Sequence, residues 1–465
     1  MNQIYSLSSI FAELRRSMRL SLPLIASQFV YGLNGFIATI MIAHLGRDAL
    51  AASALVWGTF ITLILFFVGI LNAVSILVAQ SYGAEDPHGI QQATTQGLIL
   101  CFLFAIPMML SMWMAPTVLY WTGQNPQVIQ LAIPYFHSLA WCMLPINLLI
   151  TMEQFLIGIS RTRLVLFVSL IEVPIEMLCF YVLLFGKWGL PKFGLAGIGY
   201  GITLGISILV IAMGLFLHYS SDSKKYALFV NCWRINKQYL WELLRVGMPL
   251  GGMYCIEVAL FTTIAFMMGR LGEDMLAAHQ IAYQCFIFTL TVIFGISQGV
   301  TVRIGHEVGR NNKDGLKLAA YVNMAIGFAM MLIVAIFYLG FPNYIIGLDV
   351  DIHAQKYQML VHYATIFLAI AAVLQLTDCF RLIGVGALRG LKDTKVSMYI
   401  SLFAFWLIAF PSAYLLAFIL HLGGAGIWWG LVIGLASAAG ILLVRFNRLV
   451  KKVDLVALVT KDGSN

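Results

Sequence analysis

Long apolar runs separated by short polar breaks dominate the chain. Twelve runs meet the length of about 20 mostly apolar residues that a membrane-spanning helix needs: 22–43, 53–78, 93–115, 130–156, 164–186, 194–218, 247–269, 277–302, 317–340, 358–387, 396–419 and 423–445. Between the sixth and seventh lies the one long polar connection, SSDSKKYALFVNCWRINKQYLWELLR. The pattern predicts an all-α polytopic membrane protein of twelve transmembrane helices. An even number of spans puts both termini on the same side.

An internal repeat divides these spans into two sets of six. Residues 19–89 align with 245–315 without a gap at an offset of 226, pairing Pro23 with Pro249, Gly46 with Gly272, Asp48 with Asp274, Gly69 with Gly295 and Gly83 with Gly309. GISRTR (158–163) matches GLKDTK (390–395) at an offset of 232. Six spans per copy give both copies the same orientation, so a pseudo-two-fold axis along the membrane normal is expected. Transporters built this way keep their sites at the midplane, at the repeat interface. The expected organisation is an N-lobe at 1–220, a cytoplasmic linker at 221–245, and a C-lobe with a basic tail at 246–465.

Composition agrees with a lipid environment. Hydrophobic residues make up 61% and charged residues 10%, with a mean hydropathy of +0.91; a soluble chain carries roughly a quarter charged residues. The net charge of +8 comes from basic loops. With the N-terminus inside, the inner side carries 23 Lys and Arg, leaving five outside: Arg47, Lys187, Lys192, Arg270 and Lys356. The positive-inside rule then places both termini in the cytoplasm and the chain in the plasma membrane. No basic patch is interleaved with exposed aromatics, so nucleic acid is not an expected partner; membrane lipids are. The first apolar run continues to about Met41 without a cleavage site, as a retained span does and a signal peptide does not. The seven cysteines, Cys101, Cys142, Cys179, Cys232, Cys255, Cys285 and Cys379, form no CxxC pair and read as small buried hydrophobes. No catalytic or nucleotide-binding motif is present. A non-enzyme without ATP chemistry would have to run transport on an ion gradient.

The candidate chemistry lies in five acids inside predicted spans: Glu153, Glu172, Glu176, Glu257 and Asp378. A charged residue at a helix centre costs about 2.5–3.5 kcal/mol on insertion scales, so five of them call for a role. At about 1.5 Å rise per residue, Asp378 lies about 16 Å, Glu172 about 14 Å and Glu176 about 20 Å from the cytoplasmic face. Glu172 and Glu176 are four apart and share a helix face. Pro174 between them cannot donate to the Leu170 carbonyl, which is left free beside the acids. Arg381, one turn from Asp378, offers a neutralising partner. Buried acids can carry a proton, bind sodium through hard oxygen ligands, or pair with an organic cation; salt-bridged packing is the structural alternative. Gln280, Tyr283 or Gln284, and Thr291 share a face of the eighth span, as cavity lining or as interhelical hydrogen-bond contacts.

The LG-x-x-x-LAA turns of the repeat, the run AAHQIAYQCFIFTLTVIFGISQGVTVRIGHEVGR (277–310) and GALRGLKDTK (386–395) resemble the MATE family of multidrug and toxic-compound extruders, its NorM-type branch most of all. The resemblance covers nearly the whole chain. It implies two six-helix lobes that export cationic amphipathic compounds in exchange for Na+ or H+. It also implies cation coupling at Glu257 and Asp378, which would be the metal ligands if sodium is the ion, and a substrate-facing role for Gln280. The first-lobe counterpart of Glu257 is Tyr31. The chain departs from NorM-like sequences at Ala38, where an aspartate is common, and at Glu172 and Glu176, where asparagines are usual. Glu153 stands at a place often held by arginine, and Arg381 has no usual counterpart.

The expected function is therefore a secondary active multidrug antiporter, with Glu257 and Asp378 binding the coupling ion. Gln280, Tyr283, Glu172, Glu176 and Glu153 are the candidates to meet substrate. No cofactor beyond Na+ or H+ and a monomeric state are expected. The alternative within the superfamily is a flippase or exporter of lipid-linked precursors or other amphiphiles. Its diphosphate cargo calls for a cationic cavity, whereas the spans hold five acids and at most one arginine.

Overall fold

The computed structural model describes residues 6–220, 224–230 and 233–459. Backbone polar groups in hydrocarbon must be satisfied internally, so the apolar runs fold as helices. These are α1 (Leu7–Ala43), α2 (Arg47–Gly83), α3 (Pro87–Trp121), α4 (Pro126–Ala140), α5 (Met143–Gly158), α6 (Thr162–Phe185), α7 (Leu195–Tyr219), α8 (Lys237–Leu271), α9 (Glu273–Gly309) and α10 (Lys313–Gly340). A short α11 (Pro342–Ile346) leads to α12 (Gln358–Gly390), followed by α13 (Thr394–Phe403), α14 (Phe410–Tyr414) and α15 (Gly423–Lys452). Eleven spans pass the length and hydropathy test among the described residues, and a twelfth if a bent pair is joined.

That pair is α4 and α5, bent by 48° where one continuous span at 130–156 was expected. Pro145 at the start of α5 has no N–H for the Trp141 carbonyl, and its ring crowds the preceding turn. The eleventh span is continuous but contains π-helical turns at Ala404–Ala409 and Leu415–Ile419. Pro411 withholds the donor from Leu407, and the Phe410 N–H bonds Phe405 O, five residues back.

The repeat is visible in backbone conformation. Gly46 and Gly272, at φ 107° and 123°, form equivalent turns into α2 and α9, a region only glycine enters without strain. Glu85 and Asn311 adopt φ 56° and 55°, and Ser160 and Lys392 adopt 64° and 57°. Each pair obeys the offset of its repeat segment.

Contacts divide the chain into two bundles, and the division cuts through α1 and α8. The first bundle contains residues 26–251, and the second contains 6–25 with 252–458. The break after Ile25 and the break after Gly251 are again 226 residues apart. The first half of each repeat's leading helix thus packs with the other repeat's helices. Within the first bundle a Cβ on Gly69 would fall 2.5 Å from Gly251 Cα; within the second, one on Gly295 would fall 2.6 Å from Ile25 Cγ1. The same backbone approach occurs at both equivalent positions, and neither tolerates a side chain.

Each bundle secures its borrowed half-helix differently. In the first, side chains of α3 hold the connecting segment: Gln91 Nε2 donates to Ala227 O at 2.8 Å and Val230 O at 3.0 Å, and Gln96 Nε2 to Arg234 O at 3.0 Å. In the second, Arg303 of α9 donates bidentately to Glu13 of α1, at 2.8 and 2.7 Å, and from Nη2 to Glu307 at 2.9 Å. Asn312 supplies Glu307 with a further donor at 2.8 Å, and Asn323 donates to Ser17 at 2.8 Å. Glu13 stands outside the predicted spans yet is 3% exposed, so the sequence pattern missed a buried charge. Of the cysteines, Cys101, Cys142 and Cys379 are buried and Cys179 and Cys285 partly so. Cys255 is exposed, contrary to expectation, because its position on α8 faces away from the packed interior. Cys232 lies outside the described residues.

Removing one partner of a buried, hydrogen-bonded pair leaves an uncompensated charge and costs about 3–5 kcal/mol, whereas an exposed pair is worth about 0–1 kcal/mol. Arg303→Met is therefore expected to lower the melting temperature of detergent-purified protein sharply. Arg310→Met, which removes a half-exposed partner of the same Glu307, should change it little. Equal effects would show that burial of the pair is not what holds the α1 half-helix.

Candidate functional site

Three of the five acids meet in the first bundle. Tyr31 and Asn34 lie three apart on one face of α1, Glu172 and Glu176 lie four apart on one face of α6, and Glu153 comes from α5. The Tyr31 hydroxyl donates to Glu153 Oε1 at 2.7 Å and lies 3.1 Å from Glu172 Oε2. Asn34 Nδ2 donates to Glu176 Oε2. Glu153, Glu172 and Glu176 are 9%, 6% and 4% exposed. A Cβ on Gly205 would stand 3.0 Å from Glu176 Cα, so the missing side chain lets α7 close over that acid. Further titratable neighbours of Glu176 are Tyr135, Cys142 and Cys179. Among the described residues none of the three carboxyls has a Lys, Arg or His partner.

The proton inventory of this cluster is short. A phenol supplies one O–H, and an ionised carboxylate supplies none. Tyr31 can therefore satisfy both of its carboxyl contacts only if one of the two acids brings a proton of its own. With all three acids ionised, three negative charges would stand together with one hydroxyl and one amide as donors.

Glu257 and Asp378 also come together, in the second bundle, but with Arg381 between them. Arg381 Nη2 donates to Glu257 Oε1 at 2.9 Å, and Nε donates to Asp378 Oδ1. The arginine is 1% exposed, and its guanidinium carbon lies 5.2 Å from the centroid of the Phe405 ring, carried on the first π-helical turn. Asp378 Oδ2 is buried without a hydrogen-bond partner. No group of three His, Cys, Asp or Glu side chains able to hold a metal ion occurs among the described residues. As arranged, the pair offers an entering cation one unshared buried oxygen, beside a fixed positive charge.

Gln280 and Tyr283 project from the N-terminal half of α9. Gln280 is exposed; Tyr283 is partly buried, with its ring centroid 5.6 Å from that of His279, stacked, and 5.4 Å from that of Phe261. Neither makes a direct contact with the acid clusters. Sequence reasoning reached Tyr31 only as the counterpart of Glu257 and missed Asn34 and Phe405. Asn34 carried a signal: an amide inside an apolar span, one turn from Tyr31. Phe405 carried none.

A family model described as MatE matches residues 23–182 and 249–415, one segment in each half of the repeat. The chain belongs to the MatE family. A probable multidrug resistance protein NorM from Rhizobium meliloti (strain 1021) is 33% identical over 441 residues, covering 95% of this chain and 94% of the relative. One of the same description from Synechocystis sp. is 33% identical over 445 residues, 96% of each. Among solved structures, a MATE in the straight conformation superposes with a TM-score of 0.86 at 20% identity, covering 96% of this chain and 97% of that one. The eukaryotic MATE transporter AtDTX14 gives a TM-score of 0.82 at 21% identity, covering 97% and 98%. These MatE structures share the fold, and the family consists of transporters, not enzymes.

Contacting residues in one hydrogen-bond network show coupling energies of about 0.5–3 kcal/mol in double-mutant cycles. Tyr31→Phe and Glu153→Leu are expected to be non-additive in melting temperature, because each removes the same 2.7 Å bond. Additive losses would mean that the hydroxyl does not serve Glu153.

Proposed function

We propose that this chain is a multidrug efflux antiporter that exports cationic amphipathic compounds in exchange for protons, and that Glu153, Glu172 and Glu176 hold proton and cargo in turn. The observation that carries the reading is the cluster of three buried carboxyls with no basic partner among the described residues, two of them sharing a single phenolic hydroxyl. Loaded with protons, the cluster is neutral enough to persist in a low-dielectric interior. Stripped of them, it is an anionic site that a bulky organic cation neutralises instead. The relatives are described as probable multidrug resistance proteins, which supports drugs as cargo, and the three acids suit a cation better than a diphosphate-bearing lipid precursor.

The transport cycle follows from exclusive occupancy. Protons favour one orientation of the site and cargo the other, and each ligand shifts the equilibrium only through its differential affinity for the two states. Rocking of the two repeats exposes the acids alternately to the two sides of the membrane. A proton moving down 100 mV supplies about 2.3 kcal/mol, roughly a 50-fold cargo gradient for each charge moved. We place the chain as a monomer in a bacterial inner membrane with cytoplasmic termini, on the 23-to-5 division of basic residues. Gln280 and Tyr283 are proposed to meet the cargo from the second repeat, where amide and ring contacts suit an amphipathic cation.

Ethidium efflux from proteoliposomes with an imposed pH or sodium gradient separates the ions. Efflux is expected to follow the pH gradient and ignore sodium, and to fall by about tenfold or more in Glu172→Gln and Glu176→Gln. Efflux driven by sodium alone, or unimpaired in both variants, would overturn the proposal.

A further inference from the structure

The second bundle raises a separate question, independent of the first-bundle reading: what offsets the charge of Glu257 and Asp378 inside a membrane-spanning bundle? We infer that Arg381 is a tethered substitute for the coupling cation, a specificity-determining residue that closes this pair of acids to sodium. Three observations support this. The guanidinium reaches both carboxylates, bonding Glu257 Oε1 at 2.9 Å and Asp378 Oδ1. It is buried, with 2% side-chain exposure against 15% and 0% for its partners, so water screens it little. The Phe405 face backs it at 5.2 Å, on a turn widened ahead of Pro411.

The geometry gives Arg381 what a free ion would need. A hard monovalent cation binds through several oxygens, and the two acids supply at most four. Two of these are already engaged by N–H donors, which leaves Glu257 Oε2 and Asp378 Oδ2, the latter a buried oxygen without a partner. A second positive charge placed there would sit against the guanidinium. An arginine cannot lose its proton at accessible pH, so one of the two negative charges is offset permanently and insensitively to either gradient. The repeat sharpens the contrast. Glu257 bonds Arg381 on α12, whereas its counterpart Tyr31 bonds Glu153 on α5, so among the described residues only the second bundle gives its acids a fixed cation.

Replacing the arginine should therefore create the sodium site that it forecloses. The test is thermal melting of full-length protein purified in detergent, titrated with NaCl against choline chloride at constant ionic strength. Wild-type protein is expected to melt at the same temperature in both salts. Arg381→Gln and Arg381→Met should melt at lower temperature in choline and regain stability in sodium, with a saturating rise that disappears when Asp378→Asn is added. Arg381→Lys, which keeps the charge, should stay indifferent to sodium. If the neutral variants cannot be purified, the wild-type titration still decides. A sodium-dependent rise in wild type that is abolished by Asp378→Asn would overturn the inference, as would neutral variants that fold but ignore sodium. Because this readout involves neither protons nor cargo, its failure is distinguishable from failure of the efflux proposal.

Discussion

A carboxylate taken out of water must be given something positive or be given a proton, and that constraint organises the interior of this protein. Five acids lie within its spans, and the two bundles meet the constraint by opposite means. In the second, a positive charge shared by two acids is covalently part of the chain: Arg381 stands between Glu257 and Asp378. In the first, Tyr31 and Asn34 offer two neutral donors to three acids, and the remaining deficit falls to whatever enters from outside. On the proposed reading, the permanently compensated pair is a structural element and the exchangeable cluster is the transport site. The asymmetry assigns different tasks to two halves that share one ancestry of sequence and backbone.

The scaffold around these sites is built for long, close-packed helices. Equivalent glycine approaches, Gly69 on Gly251 and Gly295 on Ile25, let each leading helix seat its first half among helices of the other repeat. The chain then anchors those half-helices through polar contacts it does not repeat. The first bundle uses amide side chains on a backbone segment, and the second uses the Glu13–Arg303–Glu307 network. A buried ion network is strongly destabilised by loss of one member while adding little net stability over an apolar core, so its value here lies in fixing which helix docks.

Much of the fold was legible from residues 22–445 because apolar length is a direct signature of a membrane span. The gapless offset of 226 carried through to turn conformation at Gly46 and Gly272. The break between α4 and α5 was not legible, since one proline early in a run does not say whether neighbouring helices will bridge the lost bond. Glu153, Glu172, Glu176, Glu257 and Asp378 were legible as candidates because charge is costly in hydrocarbon. Their grouping into three and two was not, because it depends on which helices touch. Proximity in sequence pointed to Arg381 as a neighbour of Asp378, but its reach to Glu257, 124 residues away, is a fact of packing. Glu13 escaped notice for the opposite reason: it precedes the first apolar run, and only the docking of α1 buries it.

Binding linkage is reciprocal, so if protons and cargo exclude one another at the first-bundle acids, cargo binding must expel protons. Proton release on adding ethidium to purified protein in weakly buffered detergent solution reads this directly with a pH indicator. A stoichiometric pulse of protons is expected from wild type, unchanged by sodium and absent from the Glu172→Gln/Glu176→Gln double variant. Binding of ethidium without proton release, or release that survives in the double variant, would contradict the exchange.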